Sequence, residues 1–424
     1  MLSPEEAWGR LEPFARPLPA VTVPRREALG RVLARPLAAT VEVPAADVSA
    51  MDGFAVAGPA PVGEPVPIAG VVAAGEAPGR PLPAGTALRI MTGAPVPEGA
   101  DRVIPVERAR VERRGPGGGG AAGAEAATFE IPGAAGDHVR RRGEIARSGE
   151  ALLPAGALLT PGALALLATH GHAEVTVHRR PRVAVLVTGD EVVPPAETPG
   201  PGQLRDSHTD FLLAACRSLG LEPQSLGIVP DDRELLRERI EQGLEADVLL
   251  ISGGVSMGEY DLVEGVLQEL RCHPLFDAVA IQPGKPLVAA VAAAHHEADG
   301  SVSGGHALVF GLPGNPASAI VCFWLFVRPA LRRLLGRSDG FWQGALRGEL
   351  AAPLPAGKKD RDRFLAAEVA FAEGRLEVTP VAPVGSHDLA AYARGTALVR
   401  IPPGSPERLP GEVCEVLPLV DWGE

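Results

Sequence analysis

The sequence predicts a multidomain protein with a parallel, doubly wound α/β domain at its centre and β-rich domains on either side. Between residues 181 and 336, short apolar runs typical of buried strands alternate with amphipathic helical segments. Outside this stretch, short Val- and Ile-containing runs are interrupted by Gly or Pro every few residues, as in strands joined by turns. The chain has 51 Gly and 43 Pro among 424 residues, too many for an architecture of long helices.

Composition and charge exclude several classes of protein. Hydrophobic residues make up 46% of the chain and charged residues 22%, which is typical of globular rather than disordered proteins. The net charge of −12 argues against a general nucleic-acid binder and against a protein that binds anionic membranes. Residues 317–327 form the most apolar stretch, far shorter than the roughly 20 residues of a membrane span. Because the N-terminus also lacks the features of a signal peptide, we expect a soluble, cytoplasmic protein.

The cysteines are scattered along the chain and include no CxxC pair. This spacing favours buried free thiols over a zinc site or a disulfide framework. The residues concerned are Cys216, Cys272, Cys322 and Cys414.

The N-terminal half is predicted to consist of two domains, one inserted in the other. Residues 1–48 and 138–180 form a linker domain, in which a capping box at Ser3–Glu6 and the pair Thr160–Pro161 each start a helix. Residues 49–137 form the inserted β domain. Its Gly115–Gly120 stretch matches GxGxxG, but no strand precedes it and no helix follows. We therefore interpret it as a flexible hairpin loop rather than a dinucleotide site.

The remaining chain is predicted to form an α/β domain at 181–336 and a C-terminal β domain at 337–424. The C-terminal strands alternate with period two and are expected near 363–369, 376–381, 397–401 and 413–417. In the α/β domain, strands are expected at 183–187, 225–229, 247–251, 277–281, 287–291 and 307–310. Helices are expected at 207–219, 232–244 and 260–270 and from 316 onward, and residues 295–305 are expected to form an exposed loop.

Three strands of the predicted α/β sheet end in glycine-rich or acidic turns, at 187–191, 251–261 and 310–318. The carboxyl ends of parallel strands share one edge of a sheet, and ligands bind there. Gly253, Gly254, Gly311 and Gly314 let the backbone approach a ligand and expose N–H groups. Asn315 followed by Pro316 starts a helix whose N-terminus points into this edge, which suits an anion or phosphate; the alternative is an ordinary capped helix.

Carboxylates at the same edge suggest a magnesium site. Asp190, Glu191 and Asp261 offer oxygen ligands beside a predicted phosphate, and Mg²⁺ keeps several substrate or water oxygens. The alternative is a set of solvated turn acids, and for Glu259 we favour it. Asp231 has a competing role as the cap of the following helix, through the pattern Asp231-x-x-Glu234.

Two further features of the α/β domain bear on its function. The sequence has no GxxxxGK[ST], and Lys285 is the domain's one lysine, held in Pro-Gly-Lys-Pro, where it suits an anion; the alternative is an ordinary surface lysine. Residues 254–258 match the GxSxG motif of serine hydrolases and lie between a strand and a helix. No suitably placed acid and histidine follow, so a hydrolase is the weakest alternative.

Taken together, these turns and five further motifs resemble the molybdopterin molybdenumtransferase family, which includes MoeA and the gephyrin E domain. The resemblance covers nearly the whole chain. The motifs, in order, are Ser-Ala-Met-Asp-Gly-Phe-Ala-Val at 49–56, Arg-Ile-Met-Thr-Gly-Ala-Pro at 89–95, Arg-Arg-Arg-Gly-Glu at 140–144, Gly202-Gln203 with Asp206-Ser207, and Gly-Ser-His at 385–387.

The resemblance implies an enzyme of molybdenum-cofactor biosynthesis. It implies a Mg²⁺-dependent reaction in which molybdate is inserted into adenylylated molybdopterin and AMP is released. It also implies a C-terminal β barrel and a homodimer whose site lies between the α/β edge of one subunit and the N-terminal β domain of the other. A molybdopterin adenylyltransferase is the implied pathway partner. An adenylyltransferase of the same fold and a non-enzymatic scaffold are the alternatives.

The resemblance also implies roles for particular residues. The positions expected to be catalytic are Asp52, Thr92, Glu191, Asp231 and Asp261, and those expected to bind Mg²⁺ are Asp190, Glu191 and Asp261. The positions expected to bind the pterin, its phosphates or molybdate are Asp190, Asp206, Ser207, Gly253, Gly254, Ser256, Lys285, Pro286, Pro313, Gly314, Asn315, Pro316, Arg361 and Ser386. The sequence departs from the family pattern at Phe54, Ile145, His208 and Gln282, where the family has Tyr, an acid, Asn and, in some members, Lys.

Overall fold

The computed structural model describes residues 1–113, 125–254, 262–292 and 307–419, together with the backbone of 295–296 and 302–303. The chain divides into two compact units. The larger unit comprises Met1–Ala34, Leu158–Thr160 and Glu174–Glu424, and the smaller comprises Arg35–Ala157 and Pro161–Ala173. The boundaries of the four domains stay predictions.

A six-stranded sheet forms the centre of the larger unit, as predicted. Its spatial order is β2-β1-β3-β6-β5-β4, and β1, β2, β3 and β6 are mutually parallel. In chain order the strands are β1 (Val183–Thr188), β2 (Gln224–Val229), β3 (Val248–Ser252), β4 (Cys272–Phe276), β5 (Val288–Ala292) and β6 (Ala307–Leu312).

The sheet is parallel, as predicted, except at one side. Strand β5 runs antiparallel to both β6 and β4. In the chain between β5 and β6, residues 295–296 pair antiparallel with residues 302–303. A hairpin connection of this kind joins antiparallel neighbours, whereas parallel strands need a crossover. The expected strand at 277–281 is also wrong, because β4 ends at Phe276 and Ile281–Gln282 pairs with the C-terminal sheet instead.

Helices cover both faces of this sheet, so alternate residues of a strand enter different cores. Val185 belongs to one core cluster and its neighbour Leu186 to the other. This double burial explains why the strands read as continuous apolar runs in the sequence. The helices are α1 (His208–Ser218), α2 (Arg233–Gly243), α3 (Leu262–Glu269), α4 (Pro316–Cys322) and α5 (Arg328–Leu334), with a π-helical turn at Phe323–Val327.

A closed β sheet forms the C-terminal part of the larger unit, and the predicted barrel is confirmed. Strand Asp362–Ala372 pairs with both Arg375–Pro380 and Ala397–Ile401, which closes the sheet on itself. The other strands are Ile281–Gln282, Leu346–Leu350 and Val413–Pro418, and a helix spans Leu389–Arg394. A closed sheet has no exposed edge along its main strands, which suits a small domain at a chain end.

The N-terminal segment of the larger unit bears out the predicted capping box. In the helix Pro4–Leu11, the Ser3 hydroxyl accepts from the Glu6 N–H and the Glu6 carboxylate accepts from the Ser3 N–H. Strands Ala20–Pro24 and Glu174–His178 then pair antiparallel. Short 3-10 turns lie at Glu12–Phe14 and Arg25–Glu27, and Val192–Val193 pairs with Leu204–Arg205.

The smaller unit is built on a second six-stranded sheet, as predicted for a β domain. Phe54 is fully buried there, its ring packed edge-on against Phe129 with centroids 5.8 Å apart. The strands in spatial order are Arg102–Pro105, Gly53–Val56, Ala87–Ile90, Pro65–Val72, Glu125–Phe129 and Ala109–Arg113. Leu37–Ala38 pairs with Ala151–Leu153, Val48–Ser49 pairs with Val139–Arg140, Val106–Arg108 forms a 3-10 turn, and Pro161–Thr169 is a helix.

The sequence also led to expectations about the cysteines, about membrane-spanning helices and about the loop at Gly115–Gly120. All four cysteines are free and buried, as expected. Within the described ranges, no helix has both the length and the apolar character needed to cross a membrane. The loop expected at Gly115–Gly120 lies outside the described residues.

Candidate functional site

The first turn at the carboxyl edge of the central sheet joins the ends of β1 and β2. The Asp231 N–H donates to Asp190 Oδ1 at 3.0 Å, and the Thr188 hydroxyl donates to Asp231 Oδ1 at 3.1 Å. In both Asp190 and Asp231, Oδ1 accepts a hydrogen bond within the turn. The second carboxylate oxygen, Oδ2, is available to a ligand. The competing cap at the start of α2 is made by Asp232, whose Oδ1 accepts from Leu235 N–H, so Asp231 is not needed there.

Glu191 folds back over the same turn. Gly189 has φ +139°, and a Cβ built on it would lie 2.6 Å from Glu191 Oε2. The left-handed φ favours glycine at this position, and a Cβ would also displace the flexible Glu191 carboxylate. The structure thus places Asp190, Glu191 and Asp231 on one turn region, while their catalytic and metal-binding roles stay predictions.

The second turn, which follows β3, packs tightly between the other two. Gly253 has φ +95°, and a Cβ on it would lie 2.2 Å from the Thr188 carbonyl oxygen of the first turn. The Gly253 N–H donates to the Leu312 carbonyl at the end of β6, at 3.3 Å. Gly254 has φ +63°, and its Cβ would lie 2.8 Å from Val263 Cγ2. The predicted convergence of the three turns is therefore observed for their described residues.

Several predicted positions on this second turn are not placed. Residues 255–261 lie outside the described ranges. They include Ser256, the acids Glu259 and Asp261, and all of the GxSxG motif after Gly254.

The third turn leads into helix α4, where the expected phosphate site is weakened. Asn315 is the N-cap residue, but its side chain makes no capping hydrogen bond. Pro316 has no N–H, and the Ala317 N–H donates to the Ser386 carbonyl of the C-terminal domain at 3.2 Å. The Ala317 N–H, which would otherwise be available to an anion, is therefore already hydrogen-bonded to the Ser386 carbonyl oxygen. Pro313 is buried, whereas Gly314 and Asn315 remain exposed to a ligand.

Asp206, which is predicted to contact the ligand, caps helix α1 in the structure. Its Oδ1 accepts from the backbone N–H groups of His208 at 2.8 Å and Thr209 at 3.1 Å. Its side chain is buried, and Ser207 makes no side-chain cap. The contact of these two residues with a ligand stays a prediction.

His208 is a connecting residue that sequence reasoning did not identify. Its Nδ1 lies 2.5 Å from the Ser252 hydroxyl at the end of β3, and the buried imidazole also bonds the backbone of Gly314. His208 therefore links the end of strand β3, where the second turn begins, to the third turn. Burial lowers the pKa of His208, and the charge of Asp206 and the Gly314 bond oppose that shift. The local sequence around His208 does not predict this role, because its partners Ser252 and Gly314 are distant in sequence.

The lowered pKa of His208 predicts a pH-dependent stability. The unfolded chain takes up a proton as pH falls below about 6.5, whereas the folded imidazole resists it. The native state should therefore lose stability relative to a His208→Asn variant between pH 7.5 and 5.5. Urea unfolding of both proteins at the two pH values measures the difference. Parallel stability curves would show that the buried imidazole is not held neutral.

A cavity of about 520 Å³ brings together four of the predicted anion-binding residues. Lys285, Pro286, Arg361 and Ser386 all line it, together with Arg363, which the sequence analysis missed. Arg361 immediately precedes the strand Asp362–Ala372 and Arg363 is its second residue, and both side chains line the cavity. That spacing is a signal from which Arg363 could have been found.

The charged side chains that line this cavity are all positive. None of the described residues that line it is acidic. Arg363 Nε and Gln282 Oε1 are buried and have no hydrogen-bond partner in the described part of the protein. Buried polar atoms normally find partners, and a ligand would supply them here. Asp360, outside the lining, pairs with Arg361 and raises the pKa of that guanidinium, which keeps it charged.

In the smaller unit, the structure brings Asp52 and Thr92 together. The backbone N–H and the hydroxyl of Thr92 both donate to Asp52 Oδ1, at 2.7 and 2.8 Å. These two bonds hold the pKa of Asp52 below its usual range, so the exposed carboxylate stays ionised. Two motifs far apart in sequence thus form one polar site.

Two departures from the family pattern have simple structural accounts. Phe54 is fully buried in an apolar core, where a tyrosine hydroxyl would need a partner. Ile145 is 64% exposed, next to a turn in which Glu144 accepts from the Arg141 N–H. Neither change alters the carboxyl edge of the central sheet.

The sequence of the chain matches three family models and several curated proteins. Residues 2–171 match the model of the MoeA N-terminal region (domains I and II), 184–333 that of a probable molybdopterin-binding domain, and 347–419 that of the MoeA C-terminal region (domain IV). The chain is 40% identical to the molybdopterin molybdenumtransferase of Synechococcus elongatus over 74% of this chain and 75% of the relative. It is 31% identical to that of Bacillus subtilis over 97% and 93%.

Solved structures agree as well. A crystal structure of a MoeA protein from Pyrococcus horikoshii superimposes with a TM-score of 0.77 at 32% identity, covering 100% of both chains. A second superimposes with a TM-score of 0.79 at 25% identity, covering 99% of this chain and 100% of the other. The chain therefore belongs to the molybdopterin molybdenumtransferase family, enzymes of molybdenum-cofactor biosynthesis.

Proposed function

We propose that this enzyme inserts molybdate into adenylylated molybdopterin and releases AMP in a Mg²⁺-dependent reaction. The cationic cavity lined by Lys285, Arg361 and Arg363 is the observation that carries this proposal. Molybdate is a compact dianion with four oxygen acceptors. A cavity with three positive side chains, no acidic side chain among its described lining residues and an unpartnered guanidinium N–H suits such an ion.

The pterin substrate binds at the carboxyl edge of the central sheet in this proposal. Gly254 and Gly314 are exposed at this edge, and Gly253 and Gly254 have no Cβ because Thr188 and Val263 pack against them. His208 keeps the second and third turns in register beneath the ligand. Binding energy at this edge holds the dithiolene sulfurs in place while they bind molybdate, and a displaced molybdate oxygen leaves as water with the two thiol protons.

The acidic turn fits a magnesium ion. Mg²⁺ in proteins commonly uses one or two carboxylates and takes its other ligands from substrate phosphates and water. Asp190 and Asp231 each keep a carboxylate oxygen that the turn does not use, and Glu191 lies beside them. Among the described residues no group of three or more acidic, His or Cys side chains could hold a metal alone, so substrate oxygens complete the set. When bound, Mg²⁺ offsets the charge of the pyrophosphate and polarises it.

Asp52 and Thr92 act from a second subunit in the proposed homodimer. Asp52 stays ionised and accepts a hydrogen bond from a water that attacks the phosphoanhydride, while Thr92 fixes its orientation. The proposal also includes a cytoplasmic location and delivery of the substrate by a molybdopterin adenylyltransferase.

AMP release by the purified protein tests the proposal. Protein, adenylylated molybdopterin, Mg²⁺ and molybdate are combined, and AMP is followed by chromatography. We expect AMP to appear only when both molybdate and Mg²⁺ are present, and an Asp52→Asn variant to release it much more slowly. AMP release that is independent of molybdate, or absent with all components, would contradict the proposal.

A further inference from the structure

Two side chains in the wall of the cationic cavity belong to directly neighbouring strands. Gln282 ends the strand Ile281–Gln282, and Arg363 is the second residue of the strand Asp362–Ala372. The two strands are parallel, and their register pairs Gln282 with Arg363. Both residues line the cavity of about 520 Å³. Their side chains are therefore neighbours in the cavity wall.

The two side chains carry complementary groups that do not bond to each other. Gln282 Oε1 can accept a hydrogen bond and Arg363 Nε can donate one, yet both atoms are buried and neither has a partner among the described residues. Arg363 Nη1 donates to the Ala356 carbonyl at 3.3 Å, which fixes the other end of the guanidinium. Leaving a buried acceptor and a buried donor unpaired costs stability. A ligand group that bonds to both atoms would therefore bind favourably at this point of the wall.

The group that satisfies this pair must itself carry a proton. It has to accept a hydrogen bond from Arg363 Nε and donate one to Gln282 Oε1, as the oxygen of a hydroxyl or of a water does. The charged side chains that line the cavity are Lys285, Arg361 and Arg363, so an anion is attracted there. The cavity wall therefore suits an oxyanion with a protonated oxygen. A bare oxyanion oxygen would face Gln282 Oε1 with no hydrogen between them.

Molybdate enters without such a proton, but one of its oxygens acquires two in the proposed reaction. The dithiol form of the pterin and the molybdate dianion give a trioxo dithiolene complex, still a dianion, and one water. Two S–H bonds and one Mo–O bond break, while two Mo–S bonds and two O–H bonds form. Molybdenum is neither oxidised nor reduced. The oxygen that leaves thus changes from a bare acceptor to a protonated group, which is the kind of group that this pair can hold.

We propose that Gln282 and Arg363 bind the molybdate oxygen that is displaced as water. This assignment rests on the proposed function. Arg363 Nε donates to that oxygen from the start, whereas Gln282 Oε1 meets it unfavourably while it is bare and favourably once it is protonated. An interaction that improves along the reaction raises the turnover rate more than it tightens substrate binding. Gln282 is therefore a catalytic residue that contributes to turnover rather than to molybdate binding.

Binding of phosphate and of sulfate tests the pair without the pterin substrate. In mildly alkaline buffer both ions are tetrahedral dianions of similar size, but phosphate carries one proton and sulfate carries none. Titration calorimetry should show that the protein binds phosphate about tenfold more tightly than sulfate, since Gln282 Oε1 gains a hydrogen bond only from phosphate. Gln282→Met has a side chain of similar length and no amide, so it should bind the two ions about equally.

Two further variants complete this comparison. Gln224→Met changes an exposed glutamine at the start of strand β2, outside the cavity, and should keep the wild-type preference. Gln282→Lys supplies a donor in place of the acceptor, so it should bind both ions more tightly than the wild type and show no preference for phosphate. Far-ultraviolet circular dichroism should show that all variants are folded. Equal binding of the two ions by the wild type, no binding of either ion, or a preference that persists in Gln282→Met would overturn the proposal.

AMP release at varied molybdate tests the role in turnover. Gln282→Met should lower the rate at saturating molybdate about tenfold and leave the half-maximal molybdate concentration within about twofold of the wild-type value. Gln282→Lys should lower both quantities. An unchanged rate in Gln282→Met, or a change in its half-maximal concentration alone, would contradict this role. A wild-type protein that releases no AMP in response to molybdate would overturn the proposed function and this role together, whereas phosphate and sulfate would still show whether the pair binds a protonated oxygen.

Discussion

A Gly253→Ala substitution is expected to destabilise the central domain strongly and to abolish AMP release. Gly253 has φ +95°, a conformation that costs a residue with a side chain on the order of 1–3 kcal/mol. The new Cβ would also lie 2.2 Å from the Thr188 carbonyl oxygen, which is backbone and has no rotamer to change. Strands β1 and β3 pair directly, so relief requires movement of the sheet edge that holds Asp190 and Asp231. Urea unfolding and AMP release measure the two effects.

Gly314→Ala provides a control in the neighbouring turn. A Cβ on Gly314 would meet nothing nearer than Gly253 Cα at 3.9 Å, an ordinary contact distance, and its φ is not left-handed. Its free energy of unfolding should therefore change far less than that of Gly253→Ala. Equal losses of stability in the two variants would show that the second turn is less tightly packed than the distances indicate.

The convergence of the glycine-rich turns could be predicted from sequence because it follows from a general property of parallel strands. Apolar runs identified β1, β3 and β6, and their carboxyl ends had to share an edge. The antiparallel direction of β5 could not be predicted in this way. Its composition is the same in either direction, and only the self-pairing of the following segment, 295–296 with 302–303, makes the connection a hairpin.

Other parts of the site depend on contacts between distant segments. The sequence places Asn315 and Pro316 at a helix start, but it does not show that the Ser386 carbonyl occupies the Ala317 N–H. The same holds for His208, whose partner Ser252 is 44 positions away. Tertiary packing decides which polar groups remain available to a ligand, and local patterns carry little information about it.

Arg361→Gln is expected to raise the molybdate concentration needed for half-maximal AMP release by about 10- to 100-fold. A hydrogen bond to a charged group contributes about 1.5–3 kcal/mol, and the loss of Arg361 leaves Lys285 and Arg363 as the cavity's positive side chains. Asp360 orients the guanidinium, which is charged throughout the neutral range, so the effect should persist across neutral pH. Steady-state assays at varied molybdate and saturating pterin substrate measure the shift.

Lys359→Gln separates a specific contact from general charge. Lys359 is exposed, lies two positions from Arg361 and does not line the cavity, so its loss changes the net charge equally. If molybdate binds in the cavity, the half-maximal concentration should stay near the wild-type value in Lys359→Gln and rise in both Arg361→Gln and Lys285→Gln. Added salt should weaken the exposed contribution more than the cavity contacts, since ions screen buried pairs less. A similar rise in all three variants would mean that long-range attraction, rather than the cavity, concentrates molybdate at the enzyme.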